Sequence, residues 1–159
     1  MIDSISALRK VKAISDYQFG PLITDVVFKE ENNIQIERSK NTNKIRYIYL
    51  NQKLIFSLRP TNGLLTLSLY SAQIIIEAIP SPKLRVIVQN DIQEFIKKGR
   101  SVFCKHVVYI DEDLRPNDEV IVVNEDDELL GIGRLKLPIP YIKSFNSGIA
   151  VNIRKGVYK

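Results

Sequence analysis

The chain has almost none of the residues that build disulfides and zinc sites. Its 159 residues include one cysteine, one histidine and no tryptophan. A single cysteine cannot form an intramolecular disulfide, and a structural zinc site needs several cysteine or histidine ligands. The composition therefore excludes an intramolecular disulfide and argues against a structural metal. We expect no metal and no cofactor.

Long apolar runs are also absent from the sequence. The amino-terminal stretch lacks the apolar core of a secretory signal. No segment reaches the ~18 consecutive apolar residues that a membrane-spanning helix requires. We therefore expect a cytoplasmic protein that does not use a membrane.

Apolar and basic residues are plentiful instead. Hydrophobic residues make up 45% of the chain, which suffices for a packed core. The net charge is +5 and the sequence pI is about 9.3. Basic surfaces attract phosphate groups, so this balance favours a polyanionic partner. Many basic proteins do not bind nucleic acid, so the charge alone is weak support.

The first half of the chain has the pattern of an α+β unit. Apolar residues at helical spacing predict a helix over residues 3–16, and a short helix, Leu22–Phe28, follows the break at Gly20 and Pro21. Alternating apolar and polar residues then predict four strands, within residues 34–37, 44–50, 53–59 and 63–69. Short turns rich in asparagine join these strands, so we expect an antiparallel meander preceded by helices.

Two prolines separate this unit from the rest of the chain. The segment Ile79–Lys83 contains Pro80 and Pro82, which remove two backbone donors and favour an extended linker. We therefore expect two domains, an α+β domain over residues 1–79 and a second domain over residues 83–159.

The second domain begins with a strand and a short helix. Leu84–Val88 is apolar, and Asp91–Lys98 fits a helix with Asn90 as N-cap, Phe95 facing inward and Gly99 just after its end. Further strands are predicted near residues 102–103, 106–110, 119–124, 129–137 and 149–154.

The predicted helix ends in a basic segment, Lys97-Lys98-Gly99-Arg100-Ser101. Its ordinary explanation is structural, because cations complement the C-terminal end of the helix dipole and glycine takes a left-handed cap. The functional explanation is that Gly99 lets a phosphate backbone approach while Lys98 and Arg100 supply charge. The residues alone favour the structural explanation.

Gly131 and Gly133 occupy alternate positions of one predicted strand. They do not form a nucleotide-binding loop, because a third glycine is missing and no helix follows. Alternate positions share a face, where glycine permits a tight bend or close approach by another backbone or a ligand, so a barrel corner and an RNA contact are equally good explanations. We assign Arg134 and Lys136 to that face as candidate phosphate contacts.

The chain offers few candidates for catalysis. The acidic run Glu125–Glu128 falls at a predicted hairpin tip, where solvated carboxylates pointing away from any RNA are the simpler interpretation. His106 lies in an apolar strand without a nucleophile beside it, and Cys104 resembles a small core residue. We predict no catalytic residue.

Basic residues also cluster around one turn of the first half. The segments Arg38–Lys40 and Lys44–Arg46 flank it, with Tyr47 and Tyr49 adjacent. Basic residues interleaved with aromatic ones are typical of nucleic-acid surfaces. Alternatively, the tyrosines pack on a helix and the charges only solubilise the domain. The sequence leaves both alternatives open.

The order of segments in the last sixty residues resembles a PUA domain, a small RNA-binding β-barrel. The segments are KKGRSVF at 97–103, RPNDEVIVVN at 115–124, LLGIGRLKL at 129–137 and GIAVNIRKGVYK at 148–159. Further upstream, Tyr17–Gly20, Ser39–Arg46 and Leu58–Leu64 resemble the C-terminal part of archaeosine tRNA-guanine transglycosylase and archaeosine synthase. The resemblance runs from about Leu8 to Lys155.

The resemblance implies an α+β domain followed by a PUA-type β-barrel that holds tRNA by its acceptor stem and 3′ end. The family's catalytic domain, with its aspartate nucleophile and zinc site, has no counterpart in this sequence. The resemblance therefore implies RNA binding without base exchange. The resemblance places residues 98–102 at a groove between helix and strand, and Arg134 and Arg154 on neighbouring strands. Together with Lys97, Lys136 and Lys155 from the basic segments, the predicted RNA-binding residues are Lys97, Lys98, Gly99, Arg100, Ser101, Val102, Arg134, Lys136, Arg154 and Lys155.

Three hypotheses for function follow. The first is a non-catalytic tRNA-binding protein, a split subunit or accessory factor of archaeosine modification that works with a separate catalytic chain. The second is a stand-alone PUA protein in translation or ribosome assembly, although such proteins carry a different N-terminal domain. The third is a small enzyme, against which the missing catalytic groups argue.

Overall fold

The computed structural model describes residues 2–158, with side chains from residue 4 onward, and divides into two compact units. The first is Met1–Ile79 and the second is Pro80–Lys159. The first combines helices with an antiparallel sheet, and the second contains a strongly curved, barrel-like sheet. The α+β class predicted from the sequence is confirmed.

The first unit is a four-stranded antiparallel sheet with helices before and after it. Its strands lie in sequence order in the sheet. The elements are α1 (Ile2–Gln18), α2 (Pro21–Val27), β1 (Ile34–Arg38), β2 (Ile45–Leu50), β3 (Lys53–Leu58), β4 (Leu65–Leu67) and α3 (Leu69–Ala78). The two predicted helices and four predicted strands are all present, with small shifts of their ends.

The core of this unit lies between the helices and the sheet. Val11, Ile23 and Ile75 come from the three helices and are fully buried. The ring of Phe56 on β3 stacks on Phe19 at 5.7 Å between centroids. Gln18, the last residue of α1, exchanges two 2.8 Å hydrogen bonds with the backbone of Leu65. This side chain therefore ties the end of α1 to β4.

Helix α3 is absent from the sequence-based prediction. Three consecutive isoleucines, Ile74–Ile76, favour strands and weaken the helical signal. The start of the helix is nevertheless well specified. Ser68 and Ser71 form a capping box, in which each side chain accepts from the other's backbone N–H, at 3.1 and 3.0 Å. Burial of Ile75 against the sheet then outweighs the local preference for a strand.

The second unit is built on one six-stranded sheet in the order β6-β10-β9-β8-β5-β7. Every neighbouring pair is antiparallel except β5 and β8, which are parallel. The whole of β8 is buried. The elements are β5 (Arg85–Val88), α4 (Gln93–Lys97), β6 (Val102–Phe103), β7 (Val107–Ile110), β8 (Glu119–Val123), β9 (Leu129–Leu135), α5 (Ile139–Ser144) and β10 (Ile149–Gly156).

Three details of the second unit differ from the prediction. Asn90 is not an N-cap, because it begins a 3-10 turn that precedes α4. Phe95 does not face inward, since 55% of it is exposed. Helix α5 was not predicted, because Pro138 and Pro140 suggest a loop. Both prolines lie at the start of that helix, where a missing N–H costs little.

The acidic hairpin tip is exposed to solvent, as the sequence predicts, and is also hydrogen-bonded to neighbouring segments of the fold. Arg85 on β5 is fully buried, and its guanidinium donates two 3.1 Å hydrogen bonds to the Asp127 carboxylate. Glu125 and Asn90 exchange two hydrogen bonds, each from a backbone N–H to the other's side-chain oxygen. Two of the four acidic residues therefore hold the tip against β5 and the turn before α4.

Gly131 and Gly133 permit close approach by the backbone of β10. A Cβ atom at Gly133 would lie 2.2 Å from the carbonyl oxygen of Asn152, and one at Gly131 would lie 2.9 Å from that of Lys155. Close approach by another backbone, one of the explanations that the sequence allowed, therefore accounts for both glycines.

We predict that Gly133→Ala destabilises the protein by about 3 kcal/mol, because β9 and β10 must separate to admit the methyl group. Gly99→Ala is the matched control. Gly99 has φ of 96° but open space around its Cα, so only backbone strain of about 1–2 kcal/mol applies. Urea unfolding measures both free energies. Equal losses in the two variants would contradict the steric explanation.

Candidate RNA-binding surface

The basic segment after α4 is shaped by a helix C-cap. Gly99 has φ of 96°, its N–H donates to the carbonyl of Ile96 at 2.9 Å, and the N–H of Arg100 donates to that of Phe95 at 3.1 Å. These two bonds define a Schellman motif. The structural explanation of Gly99 therefore holds, and the same cap leaves Lys98 and Arg100 exposed to solvent.

Lys97 is engaged within the unit, unlike its two basic neighbours. Its ammonium lies 3.3 Å from a Glu94 carboxylate oxygen and 5.5 Å from the centre of the Tyr158 ring. The hydrogen bond with Glu94 raises the pKa of the Lys97 ammonium. Gly156 lies so close to this turn that a Cβ there would be 2.3 Å from the Lys97 carbonyl oxygen. Lys97 thus helps to hold the C-terminal strand.

Strand register brings a row of polar residues together across four strands. Asn152 on β10 lies opposite Arg134 on β9, which lies opposite Glu119 on β8. The Ser101 hydroxyl, just before β6, lies 3.2 Å from the Asn152 side-chain oxygen. Directly opposed residues of antiparallel strands share a face of the sheet. We call these four residues, Ser101, Asn152, Arg134 and Glu119, the polar row.

Sequence reasoning missed Asn152 and Glu119. Both lie in segments that resemble the PUA domain, but nothing in those segments singles them out, and only the register of β8, β9 and β10 makes them neighbours. Arg134 also lies on the opposite face of β9 from Gly131 and Gly133, because side chains alternate along a strand. Its assignment to the face of the glycines was wrong.

The two arginines near the polar row differ in their partners. The Arg154 guanidinium donates to both oxygens of the buried Glu119 carboxylate, at 2.7 and 3.0 Å. Arg134 is half-buried and makes no side-chain hydrogen bond or ion pair with the residues that the structure describes. Glu119 therefore compensates Arg154, whereas the charge of Arg134 lacks such a partner within residues 2–158.

The remaining candidate residues lie in two environments. Lys136 and Lys155 are exposed, and neither side chain contacts an acidic group in the described part of the chain. Val102 is fully buried and pairs with Val151, so its side chain is out of reach of a ligand. Gly99, Ser101 and the exposed cations remain accessible at the ends of α4, β9 and β10.

Positive charge is concentrated in three segments of the second unit. Residues 97–106, 134–136 and 149–155 contain eight lysines and arginines and no aspartate or glutamate. The rest of residues 80–159 contains five lysines and arginines and eleven acidic residues. The strands β6, β10 and β9 in these segments are adjacent in the sheet. One region of the unit is thus selectively basic.

A second basic surface lies in the first unit. A groove of about 740 Å³ between α1, the β1–β2 hairpin and the β3–β4 turn has no acidic residue in its described lining. The Arg46 guanidinium lies 5.7 Å from the centre of the Tyr47 ring. The cations that line it are Lys10, Arg38, Lys44, Arg46 and Arg59. We call it the hairpin groove.

The histidine and the cysteine lie close together but form no evident reactive site. His106 packs edge-on against Phe103 at 6.3 Å between ring centres. Cys104 is buried, and desolvation raises the pKa of its thiol, which disfavours the reactive thiolate. Within residues 2–158, no three His, Cys, Asp or Glu side chains gather as a metal site would require. No described helix is long and apolar enough to cross a membrane.

Both units match known protein families. Residues 9–82 match the family described as the patch-forming domain C2 of tRNA-guanine transglycosylase, and residues 84–157 match the PUA domain family. Curated relatives named tRNA-guanine(15) transglycosylase include proteins from Methanobrevibacter smithii, 46% identical over 152 residues, and Thermococcus onnurineus, 41% identical over 149 residues. The alignments cover 96% and 94% of this chain but only 23% and 25% of those relatives.

Solved structures share the fold over nearly the whole chain. A hypothetical protein from Pyrococcus horikoshii OT3 has a TM-score of 0.76 at 21% identity, with 97% of this chain and 92% of that chain covered. A conserved PUA domain protein from Thermoplasma acidophilum has a TM-score of 0.65 at 17% identity, with coverage of 96% and 89%.

The barrel-like sheet, the basic segments and the family matches together define a PUA-domain protein. More particularly, the chain combines a transglycosylase C2 domain with a PUA domain, as the C-terminal region of tRNA-guanine(15) transglycosylase does. The resemblance drawn from the sequence is thereby confirmed. The chain spans about a quarter of the length of the curated relatives it matches.

We predict that Arg154→Ala destabilises the protein by about 1.5–3 kcal/mol. The reason is that the buried Glu119 carboxylate loses the charged group that donates hydrogen bonds to it. Lys155→Ala, at the exposed neighbouring position, is the matched control and should change the free energy of unfolding by less than about 0.5 kcal/mol. Chemical denaturation distinguishes the two variants. If both were equally stable, the ion pair would have no structural role.

Proposed function

We propose that this chain is a non-catalytic RNA-binding protein that holds tRNA by its acceptor stem and 3′ end during archaeosine modification. The observation that carries the proposal is the selectively basic region of the PUA domain, where Arg134 and the exposed cations face no acidic partner among the described residues. Such cations can bind backbone phosphates, which supply most of the affinity for nucleic acid.

The proposed mode of recognition relies on shape and backbone. Phosphate contacts from Lys98, Arg100 and Arg134 would set the position of the RNA without reading its sequence. The Ser101 hydroxyl and the Asn152 amide lie in the same region and can hydrogen-bond to 2′-hydroxyl groups, which distinguish RNA from DNA. In this mode Lys97 and Arg154 act mainly through the fold, because each already has a carboxylate partner.

We infer further that catalysis is supplied by another polypeptide. The two family models that match this chain, over residues 9–82 and 84–157, are those of a C2 domain and a PUA domain. The protein would then act as a split subunit or accessory factor of a tRNA-modifying chain. Co-purification with a transglycosylase that lacks its own PUA domain would support this arrangement.

One observation favours a second candidate function. The structural alignment with this chain covers 92% of the P. horikoshii chain and 89% of the T. acidophilum chain. The same two-unit architecture therefore occurs in solved chains of similar size. A free-standing protein of this kind could act in translation or ribosome assembly. Co-sedimentation with the small ribosomal subunit, without modified tRNA in the complex, would favour that alternative.

We predict that the double variant Lys98→Ala/Arg100→Ala binds tRNA roughly 10-fold more weakly at moderate salt, because two phosphate contacts are lost. The slope of log affinity against log salt should fall by about 2. Fluorescence anisotropy with a labelled tRNA transcript measures both quantities. Lys143→Ala is the control, since that lysine already pairs with Glu112. Unchanged affinity in the double variant would remove this segment from the site.

A second pair of variants tests the hairpin groove. We predict that Lys10→Ala/Lys44→Ala weakens binding of intact tRNA and lowers the salt slope by about 2, because both lysines are exposed and line a groove without described acidic residues. Lys29→Ala, an exposed lysine outside the groove, is the control. If the groove variant binds tRNA normally, the groove does not bind RNA, and docking of a protein becomes the better explanation.

A further inference from the structure

Exposed apolar side chains gather at the edge of the PUA sheet where β6 meets β10. Phe103 and Ile149 are directly opposed across these strands and are 46% and 40% exposed. Nearby in sequence, the rings of Tyr141 and Phe145 stack at 4.5 Å between centroids, and Phe145 is 52% exposed. We call these four residues the aromatic patch.

The two halves of the aromatic patch meet at Gly148. A Cβ atom at Gly148 would lie 3.8 Å from the ring edge of Tyr141, so that ring lies beside the start of β10. The Gly148 carbonyl accepts a 3.0 Å hydrogen bond from the N–H of Cys104, directly after Phe103. Tyr141 on α5, which stacks on Phe145 just after that helix, therefore lies next to the pair on β6 and β10.

Phe103 and Ile149 of the aromatic patch lie on the same face of the sheet as the polar row. Side chains alternate along a strand, so Ser101 and Phe103 point to one side while Val102 points into the core. On β10 a bulge lies between Ile149 and Val151, so these two residues face opposite sides of the sheet. Val151 points inward, and Asn152 therefore lies on the exposed side with Ile149. The 3.2 Å approach of Ser101 to Asn152 agrees with this geometry.

Charge indicates which partner fits this surface. Exposed apolar patches usually mark binding sites, and protein-docking surfaces are depleted of lysine in their centres. Phe103 and Ile149 lie within segments that contain lysines and arginines but no acidic residue, and beside the other two rings Glu112 is paired with Lys143. Lys105 follows Phe103 by two residues, and the N–H of Lys136 bonds to the carbonyl of Ala150, next to Ile149. Aromatic rings among cations are typical of surfaces that bind single-stranded nucleic acid.

We propose that the aromatic patch stacks against the bases of unpaired nucleotides at the end of the RNA whose backbone the basic region holds. The inference rests on the proposed function and adds side chains that carry no assigned role. The rings of Phe103 and Phe145 are exposed stacking surfaces, and the cations beside them neutralise the phosphates between the stacked bases. An unpaired end and a blunt end should therefore bind with different affinity.

Because the chain contains no tryptophan, the fluorescence of one introduced tryptophan reports directly on base stacking at the aromatic patch. In Phe145→Trp the new indole is the sole tryptophan, and stacking of a base on it quenches its fluorescence. The variant is titrated with an RNA hairpin that carries an unpaired 3′ extension of four nucleotides and with the same hairpin ending blunt. We expect quenching by the extended hairpin and little change with the blunt one.

Affinity measurements provide the matched comparison. We expect Phe103→Ala and Phe145→Ala each to weaken binding of the extended hairpin by about 5- to 100-fold, the usual effect of losing one stacked base. Binding of the blunt hairpin should stay within twofold. Tyr109→Ala is the control, because Tyr109 is an equally exposed aromatic residue on β7, the opposite edge strand of the sheet.

The outcomes separate this inference from the proposed function. If the wild-type protein binds extended and blunt hairpins equally and Phe145→Trp is not quenched, base stacking is overturned while RNA binding stands. If both phenylalanine variants bind the extended hairpin like wild type, the patch serves another partner, such as a protein. If no RNA binds at any salt concentration, the proposed function fails and the stacking inference fails with it.

Discussion

The close approach of β9 and β10 is the constraint on which the PUA domain depends. Gly131 and Gly133 leave room for the backbone of β10, because a side chain at either position would collide with a carbonyl oxygen. The approach fixes the register that places Asn152 opposite Arg134 and, one strand further, Arg134 opposite Glu119. Two residues without side chains thus determine which polar side chains become neighbours on the opposite face of β9.

Buried ion pairs decide which cations remain available for a ligand. Arg85 is fully buried against Asp127 and Arg154 is held by Glu119, so neither charge can be counted simply as surface potential. Charges partnered in this way stabilise the domain and bind phosphate weakly, because a phosphate must compete with a carboxylate already in place. The positive potential of the basic region therefore comes from Lys98, Arg100, Arg134 and the exposed lysines.

Helices and strands could be predicted from the sequence more successfully than contacts between side chains distant in sequence. Alternation and helical spacing located the strands of both units, and turn chemistry placed Gly99 at a helix end. Local preferences misled at α3, where three isoleucines favour a strand, and at α5, where two prolines suggest a loop. The polar row could not be predicted, because it depends on register between strands distant in sequence. The hydrogen-bond partners of the acidic hairpin tip could not be predicted for the same reason, since Arg85 and Asn90 lie some forty residues away.

Cations and aromatic rings have different roles in the proposed binding of RNA by the basic region. A surface made only of mobile lysines would attract any polyanion, with little preference for the form of its end. Here a half-buried arginine, a hydroxyl beside an amide and the exposed ring of Phe103 share one face of the sheet. Cations respond to charge density, whereas flat rings respond only to bases that are free to stack. In the proposed mode of binding, their combination on one sheet distinguishes an RNA with an unpaired end from a uniform duplex.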